Sequence, residues 1–345
     1  MNFSTCVTAS FLAILFWAPL TGLADGCDNS TLSSGTYTMQ HGGLTRTYRV
    51  HVPRGYKSSM PTPLVTIFHG WGGNEDEFLR NRTVRSEADK RGYILVAPRG
   101  LGSGAPDDSY NSWSFSGSTT GLAGDEGAIC GDGTPDYSYD SCTGTAENTC
   151  SWTHCQDDDV AFAVALVEEI KAELCVDPNN VFATGGSNGG MFTWELGQNK
   201  TSADTFRAIA PIIGLPHKGY LGGPANKARQ MPVLVITGTR DTVVPPGAWD
   251  DDAFTTTSNG SDLYYYTGAT AITKEWAEAY DCDTDGPASV INDGYRKPDC
   301  RTYCSGDNGL PRVLDCRARM GHTYSFSWAW KLVMDFFDEH AAPAQ

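Results

Sequence analysis

The sequence predicts an α/β fold, in which a mostly parallel central sheet is covered by helices on both faces. Two observations predict it. Short apolar runs rich in β-branched residues recur along the chain, and each is long enough for one buried strand. Amphipathic segments of helical length alternate with these runs. Such alternation is typical of strands joined by helical crossovers, which place the strands parallel in one sheet.

The first predicted elements lie between residues 45 and 100. Alternating side chains in TRTYRVHVP (45–53) predict a half-buried strand, within which His51 is interpreted as a surface residue. Two continuous apolar runs, PLVTIFHG (63–70) and YILVAPRG (93–100), predict buried parallel strands. Between them, residues 74–92 predict one helix, because acidic residues come early and basic residues late, as the helix dipole favours.

The second half of the chain repeats this alternation. Residues 157–174 predict an amphipathic helix that begins at a cap supplied by Asp157 or Asp158. Further buried strands are predicted in NNVFATGG (179–186), AIAPIIG (208–214), MPVLVITGTRD (231–241) and PRVLDCRARMGH (311–322). Further helices are predicted in SNGGMFTWELG (187–197), ATAITKEWAEAY (269–280) and SFSWAWKLVMDFFDEH (325–340). We expect one catalytic domain over residues 25–345.

Composition excludes two classes of partner. The chain has 345 residues, of which 40% are hydrophobic, so it has enough apolar side chains for a large core. It has 25 basic and 41 acidic side chains, a net charge of −16. Nucleic acids and anionic membranes both need a basic face, so neither is expected as a partner.

The first 24 residues predict a secretory signal peptide. An apolar run covers residues 7–20, and the small residues Gly22 and Ala24 follow it, which favours cleavage after Ala24. The run is shorter than the ~20 residues that a membrane-spanning helix needs, and no later segment is long and apolar enough to span a bilayer. We therefore expect a secreted, extracellular protein.

Cysteine usage agrees with secretion. Ten cysteines follow the predicted signal, at positions 27, 130, 142, 150, 155, 175, 282, 300, 304 and 316. An even set in a secreted chain favours disulfides, and no short histidine spacing favours the alternative of zinc. The spacing leaves the pairing open. Four glycosylation sequons, at Asn29, Asn81, Asn199 and Asn259, fit an extracellular surface.

Residues 101–156 differ from the rest in composition. They are rich in Gly, Ser, Asp, Thr and Tyr and hold four cysteines, which predicts a disulfide-stapled insertion. Its carboxylates are a candidate calcium site, but their spacing is not that of an EF-hand loop, so a solvated acidic loop is favoured. These carboxylates are Asp125, Glu126, Asp132, Asp136 and Asp140.

Ser187 is the candidate nucleophile. It lies in Gly-x-Ser-x-Gly, between a predicted strand and a helix that starts at once. A tight turn there needs glycines, since larger side chains would clash with the strand and the helix. The turn exposes the hydroxyl at the carboxyl edge of the sheet, where open α/β sheets bind ligands. The motif alone is a weak signal, so a base, a carboxylate and an anion site must accompany it.

Those three partners follow in the expected order. His322 comes after a strand and a glycine and is the predicted base, whereas His340 ends the last helix and is interpreted as a surface residue. Asp241 follows the strand 231–238 and is the predicted carboxylate; residues 250–252 are interpreted as a solvated acidic loop. The carboxylate would hold the imidazole in the correct tautomer.

The run FHGWGG (68–73) predicts the anion site. We assign the oxyanion hole to the backbone N–H groups of Trp71 and Asn188, and we interpret His69 as a support of the loop. Trp71, Trp113 and Trp249 lie near the predicted loops and are candidates for an aromatic platform that binds the substrate; ordinary core packing is the alternative. This chemistry needs no cofactor and no metal.

Several of these segments resemble carbohydrate esterase family 1, which includes feruloyl esterases, acetylxylan esterases and the related polyhydroxybutyrate depolymerases. The similarity runs from about Arg46 to His340, and its most specific parts are Ser-Asn-Gly-Gly at the elbow and GTRDTVVPP (238–246). The resemblance implies an α/β-hydrolase fold and a triad of Ser187, Asp241 and His322. Trp71 stands beside the hole where some members have Cys, and the insertion departs from the family pattern.

The expected function is that of a secreted serine esterase acting on a plant-cell-wall polysaccharide or a small aromatic or aliphatic ester, with feruloyl substrates ahead of acetyl ones. A polyester depolymerase with the same triad is the second interpretation. An inactive hydrolase-fold binding protein is the third, and the presence of every expected site residue weighs against it. The acyl group and the oligomeric state are left open.

Overall fold

The computed structural model describes most of the chain from Gly26 onward. The described ranges are 26–27, 29–103, 110–124, 127–134, 137, 139–142, 150–250, 254–257, 262–284, 289–291, 298–306 and 309–343. The predicted signal segment, residues 1–24, lies outside them, as does the sequon at Asn259. In the ranges that are described, every helix is too short or too polar to cross a bilayer.

A ten-stranded sheet runs through the described part of the chain, in the order β1-β2-β4-β3-β5-β6-β7-β12-β11-β10. Its strands are β1 (Gly35–His41), β2 (Leu44–His51), β3 (Thr62–Phe68), β4 (Ile94–Pro98), β5 (Val176–Gly186), β6 (Ala208–Ile212), β7 (Val233–Gly238), β10 (Ser289–Ile291), β11 (Asp299–Ser305) and β12 (Pro311–Ala318). The six strands from β4 to β12 in this order are parallel, which confirms the predicted sheet.

Both edges of the sheet are antiparallel, which the sequence did not predict. β1 and β2 form a hairpin, and β2 pairs antiparallel with β4. The hairpin turn is Gly42–Gly43, where both residues have positive φ. At the other edge, β10 and β11 continue antiparallel from β12. A separate two-stranded sheet consists of β8 (Phe254–Thr256) and β9 (Tyr265–Thr267).

Helices cover both faces of the sheet, as predicted. They are α1 (Asp76–Leu79), α2 (Arg82–Arg91), α3 (Asp159–Glu173), α4 (Asn188–Gln198), α5 (Ala269–Glu278) and α6 (Ala329–His340). Successive residues of β3 point to opposite faces, so Leu64 and Val65 enter different hydrophobic cores. The core that contains Leu64 is closed by α3, α4 and α5, and the core that contains Val65 is closed by α1, α2 and α6.

Local hydrogen bonds show that one predicted helix is wrong and identify the residue that caps α3. The single helix predicted over 74–92 is two helices, because Asn81 is extended and its side chain accepts a hydrogen bond from the backbone N–H of Thr83. Asp158, not Asp157, caps α3 by accepting from the first N–H groups of the helix. Asp157 instead forms an ion pair with the buried Arg46.

The ten cysteines that follow the predicted signal peptide lie in the described ranges, and all ten form disulfides, as predicted. The pairs are Cys27–Cys175, Cys130–Cys150, Cys142–Cys155, Cys282–Cys304 and Cys300–Cys316. Two of the five bridges lie entirely inside the predicted insertion 101–156. Their cysteines at positions 150 and 155 flank Trp152, which is a buried residue of the core that contains Leu64.

A buried ionic cluster also attaches the insertion to the sheet. Asp159, at the start of α3, accepts hydrogen bonds from Arg46 of β2 and from His154 and Ser114 of the insertion, at 2.7–2.8 Å. Burial alone would raise the pKa of this carboxyl, but the charge and hydrogen bond of His154 and the charge of Arg46 lower it to about 2. The carboxylate is therefore ionised at neutral pH and holds three segments together.

Among the described residues, the acidic side chains of the insertion do not form a set of ligands that could bind calcium. Asp132 and Asp140 are exposed, and Asp125, Glu126 and Asp136 lie outside the described residues. No group of three or more metal-binding side chains is found among the residues that the structure places.

Candidate active site

Ser187 lies on a sharp turn between β5 and α4. Its backbone has φ 54° and ψ −121°, a strained conformation for a residue with a side chain. The turn is held by a hydrogen bond from the N–H of Ser187 to the carbonyl oxygen of Ile212, at the end of the neighbouring β6. Gly189 permits α4 to begin against the end of β3, because an added Cβ there would overlap the carbonyl oxygens of Phe68 and His69. The hydroxyl of Ser187 is thereby held at the carboxyl edge of the sheet.

His322 and Asp241 meet Ser187 at this edge. His322 Nε2 is 2.8 Å from Ser187 Oγ, and His322 Nδ1 is 2.7 Å from Asp241 Oδ2. Asp241 follows β7 and His322 follows β12; these strands are parallel neighbours, so their carboxyl ends bring the two side chains together. Since the carboxylate accepts from Nδ1–H, Nε2 is left to accept the Ser187 proton.

The carboxylate of Asp241 is held in place by the backbone. Its other oxygen, Oδ1, accepts hydrogen bonds from the N–H groups of Val243 and Val244, at 2.8 and 2.9 Å. The side chain is buried, whereas the His322 side chain remains 22% exposed. Four hydrogen-bonded groups thus form one line from the backbone through Asp241 and His322 to Ser187.

The two predicted oxyanion-hole amides have no competing acceptor in the described part of the chain. Asn188 is the first residue of α4, where backbone N–H groups lack a helical partner. The Trp71 amide is oriented indirectly. The preceding carbonyl, of Gly70, accepts from His69 Nδ1 at 2.6 Å and from Gly73 N–H at 2.9 Å, and in a planar trans peptide the Trp71 N–H must point the opposite way.

His69 is buried and supports the loop, as the sequence suggested. Its Nε2 accepts from the N–H of Gly100 at 2.8 Å, while its Nδ1–H is used on Gly70. Burial lowers its pKa to about 4. The imidazole is therefore neutral at physiological pH, with its two nitrogens in distinct roles.

The side chains of Ser187 and His322 line a largely aromatic cavity with a volume of about 450 Å³. Its described lining residues are Gly70, Trp71, Tyr137, Trp152, Ser187, Met191, Ile213, Val243, Val244, Thr257, Asp262, Tyr264, Tyr266, His322, Thr323 and Tyr324. Trp71 is fixed there by its indole N–H, which donates to Tyr139 Oη and to the carbonyl of Trp152. The cavity volume is typical of small-molecule sites.

Two predicted substrate-binding tryptophans do not line this cavity. Trp113 is fully buried, and its indole N–H donates to the carbonyl oxygen of His69. Its backbone exchanges two hydrogen bonds with the Asn188 side chain, so Trp113 supports the oxyanion-hole loop and the start of α4. Trp249 lies against the guanidinium groups of Arg301 and Arg317, within 3.8–4.0 Å of its ring. Neither tryptophan therefore contributes to the described wall of this cavity.

Most of the cavity wall consists of residues that the sequence did not single out. Tyr137 and Trp152 come from the insertion, and Asp262, Tyr264 and Tyr266 come from the segment around β9. The available signals are the tyrosines of the insertion and the three consecutive tyrosines at 264–266.

The remaining predicted polar residues lie away from the site. His340 ends α6 and contacts the carbonyl of Pro311, and His51 forms a hydrogen bond with Asp89. Asp250 is exposed, and residues 251–252 lie outside the described residues. The positions of His340, His51 and Asp250 agree with their non-catalytic interpretation.

His217 supports the cavity wall from behind and was not recognised in the sequence. It is fully buried, its Nε2 accepts from the indole N–H of Trp152 at 3.0 Å, and its Nδ1 contacts the carbonyl oxygen of Tyr265 at 3.1 Å. Burial lowers its pKa from 6.5 to about 4. Because Nε2 must stay unprotonated to accept from Trp152, the neutral imidazole is the form that fits.

This burial predicts acid sensitivity. Below pH 6.5 the unfolded chain protonates His217 and His69, whereas the folded chain does so only near pH 4, so stability falls as the pH drops through this window. Each residue contributes a loss of roughly 3 kcal/mol. We expect His217→Gln, whose amide both donates and accepts, to lose less stability between pH 6.5 and pH 4 in thermal unfolding. Equal losses in both proteins would contradict the assignment.

The chain is similar in sequence to named feruloyl esterases. The chain matches no protein-family model. It is 26% identical to feruloyl esterase C of Emericella nidulans over 243 residues, which cover 68% of this chain and 69% of that protein. It is 26% identical to feruloyl esterase D of Neurospora crassa over 223 residues, which cover 64% and 63%. The chain spans less than two thirds of the length of two other curated relatives, 47% of one and 63% of the other.

A solved structure shows the fold. The acetyl xylan esterase from Aspergillus awamori superposes with a TM-score of 0.56 over 88% of this chain and 99% of that chain, at 14% sequence identity. The chain therefore has the α/β-hydrolase fold that the sequence predicted. At this identity the likeness concerns the arrangement of strands and helices, while the chemistry rests on the residues described above.

Proposed function

We propose that this chain is a secreted serine carboxylic-ester hydrolase of the feruloyl-esterase type, with its catalytic domain in residues 25–345. The observation that carries the proposal is the hydrogen-bonded line from Asp241 through His322 to Ser187, placed at the mouth of an aromatic cavity. A hydroxyl on a strained turn, next to a correctly oriented imidazole, is the arrangement that acyl transfer requires.

The reaction would proceed in two steps. His322 Nε2 removes the proton from Ser187 Oγ as that oxygen attacks the ester carbonyl. The negative charge on the former carbonyl oxygen is stabilised by the N–H groups of Trp71 and Asn188. His322 then gives the proton to the departing alcohol. Water, deprotonated by His322, attacks the acyl-serine. As the bond between the acyl carbon and Ser187 Oγ breaks, His322 returns the proton to Oγ, and the acid and the free serine are released.

Two observations support an aromatic acyl group on a plant-cell-wall polysaccharide. The relatives at 26% identity are named feruloyl esterases. The cavity that Ser187 faces is lined mainly by aromatic and aliphatic side chains, which match the flat ring and conjugated chain of a hydroxycinnamoyl group. An acetyl group would leave most of a 450 Å³ cavity unfilled.

Secretion is proposed from the sequence of residues 1–24 together with the disulfides. Five disulfides in one chain indicate an oxidising compartment, because cytosolic thiols are kept reduced. The polysaccharide would be contacted by the catalytic domain, at the rim of the cavity.

The test compares three ester classes under the same conditions: methyl ferulate, an acetylated xylo-oligosaccharide and a short hydroxybutyrate ester. We expect kcat/KM to be highest for methyl ferulate, since the aryl group fills the cavity. Preference for the acetylated sugar or for the hydroxybutyrate ester would replace the feruloyl assignment by the corresponding esterase. Hydrolysis of none of them by the folded protein would favour a binding function.

A further inference from the structure

A carboxylate lies in the wall of the otherwise aromatic cavity. Asp262 lines the cavity beside Tyr137, and Tyr137 Oη donates a hydrogen bond to Asp262 Oδ2 at 2.9 Å. The triad carboxylate, Asp241, is buried behind His322 and is not among the lining residues. Of the described residues that line the cavity, Asp262 is thus the one acidic side chain.

The pair is held in a fixed position. Tyr137 packs edge-on against Trp71, with ring centroids 5.0 Å apart, and Trp71 is itself fixed by hydrogen bonds to Tyr139 and Trp152. Burial and the neighbouring Asp262 raise the pKa of Tyr137 to about 12, so the phenol keeps its proton and donates it to the carboxylate. Asp262 therefore faces the cavity with one carboxylate oxygen, Oδ2, engaged by Tyr137.

The second carboxylate oxygen determines what the cavity can recognise. An ionised carboxylate accepts hydrogen bonds at both oxygens, so Oδ1 has capacity for a donor from a ligand. A sugar would bring several hydroxyl groups, and most would meet aromatic or aliphatic side chains. An aryl group with a single hydroxyl presents an apolar body and one donor, which matches apolar walls with a single carboxylate.

We propose that Asp262, positioned by Tyr137, accepts a hydrogen bond from the phenolic hydroxyl of the acyl group, so that the cavity selects 4-hydroxycinnamoyl esters over cinnamoyl esters. The inference rests on the proposed esterase function and names the residue that recognises its substrate. A hydrogen bond to a charged group changes binding by roughly tenfold to a hundredfold, and the cinnamoyl ester would leave the carboxylate without this donor.

The experiment measures kcat/KM for methyl 4-hydroxycinnamate and methyl cinnamate, which differ only in the phenolic hydroxyl. For the native protein we expect the ratio of the two values to be about 10 or more. In Asp262→Leu the ratio is expected to fall to about 1, and in Asp262→Asn, which keeps an acceptor oxygen without the charge, to lie in between. Asp250→Leu removes an exposed carboxylate outside the cavity and is expected to keep the native ratio.

The outcomes separate this inference from the proposed function. Hydrolysis of both esters at equal rates by the native protein, or an equal loss for both esters in Asp262→Leu, overturns the role of Asp262 and leaves the esterase proposal standing. Hydrolysis of neither ester counts against the esterase proposal. In that case, calorimetric binding of the two esters to Ser187→Ala decides the inference, because recognition of the phenol needs no turnover; equal affinities overturn it.

Discussion

Replacement of Ser187 by alanine is expected to lower kcat for ester hydrolysis by at least about 10⁴-fold, since no other nucleophile lies within reach of His322 Nε2 in the described structure. The residual rate would come from the oxyanion-hole amides and from substrate binding. The backbone strain at φ 54° is the same with alanine as with serine, so the substitution should leave the conformation of the turn unchanged. The measurement is single-turnover hydrolysis of methyl ferulate by the two proteins.

Substitution of Asp241, alone and together with Ser187, tests whether the three residues act as one unit. Asp241→Asn should keep the side-chain volume but disturb the tautomer of His322, and we expect a loss of about 10⁴-fold in kcat. Because the three residues act as a unit, the double variant Ser187→Ala, Asp241→Asn should lose little more than Ser187→Ala alone. Additive losses would argue that Ser187 and Asp241 act in separate steps.

Loss of folding must be distinguished from loss of chemistry. Ser187→Ala should unfold at the same temperature as the native protein to within a few degrees, and it should still bind methyl ferulate. Retention of substantial activity by a correctly folded Ser187→Ala would remove Ser187 from the mechanism.

Replacement of Gly189 by alanine is expected to destabilise the fold by more than about 4 kcal/mol, the range in which single substitutions are exceptional. A Cβ at this position would lie 2.5 Å from the carbonyl oxygen of His69 and closer still to that of Phe68. Both atoms belong to the backbone at the end of β3, so no side-chain rotation relieves the overlap. Relief would require α4 to move away from the loop that carries the Trp71 amide.

Gly55→Ala is the matched control, because an added Cβ there meets no atom within 4 Å and the residue has no positive φ. It is expected to change the free energy of unfolding by less than about 1 kcal/mol. Chemical denaturation of both variants, followed by intrinsic fluorescence, measures the difference. Similar stabilities for Gly189→Ala and Gly55→Ala would show that the contact between α4 and β3 is not tight.

The site residues could be predicted from local sequence because each follows the end of a strand. Ser187, Asp241 and His322 come after three apolar runs, and parallel strands present their carboxyl ends at one edge of a sheet. No knowledge of long-range contacts was needed for this step. The antiparallel edge strands were missed, since β1 and β11 are half exposed and lack the continuous apolar run of a buried strand.

Other errors came from interactions that a periodic pattern does not contain. Asn81 breaks the predicted helix through a single hydrogen bond to Thr83. Trp113 looked like a loop residue available for substrate, yet it is buried because the insertion folds inward and its indole supports the carbonyl of His69. In both cases the residue type fits either position, and the contacts with neighbouring residues determine which position it takes.

The amino-acid order alone therefore specified the strand–helix alternation, the elbow at Ser187 and the choice of Asp241 and His322, because these depend on residues that are close in sequence or on a general property of parallel sheets. Folding in three dimensions specified the disulfide pairs, the cavity wall and the pairing of Tyr137 with Asp262, which are 125 residues apart. Such contacts depend on which surfaces pack together in the folded chain. The local sequence around each residue does not indicate which distant residue it will contact. The substrate selection that we propose for Asp262 belongs to this second group.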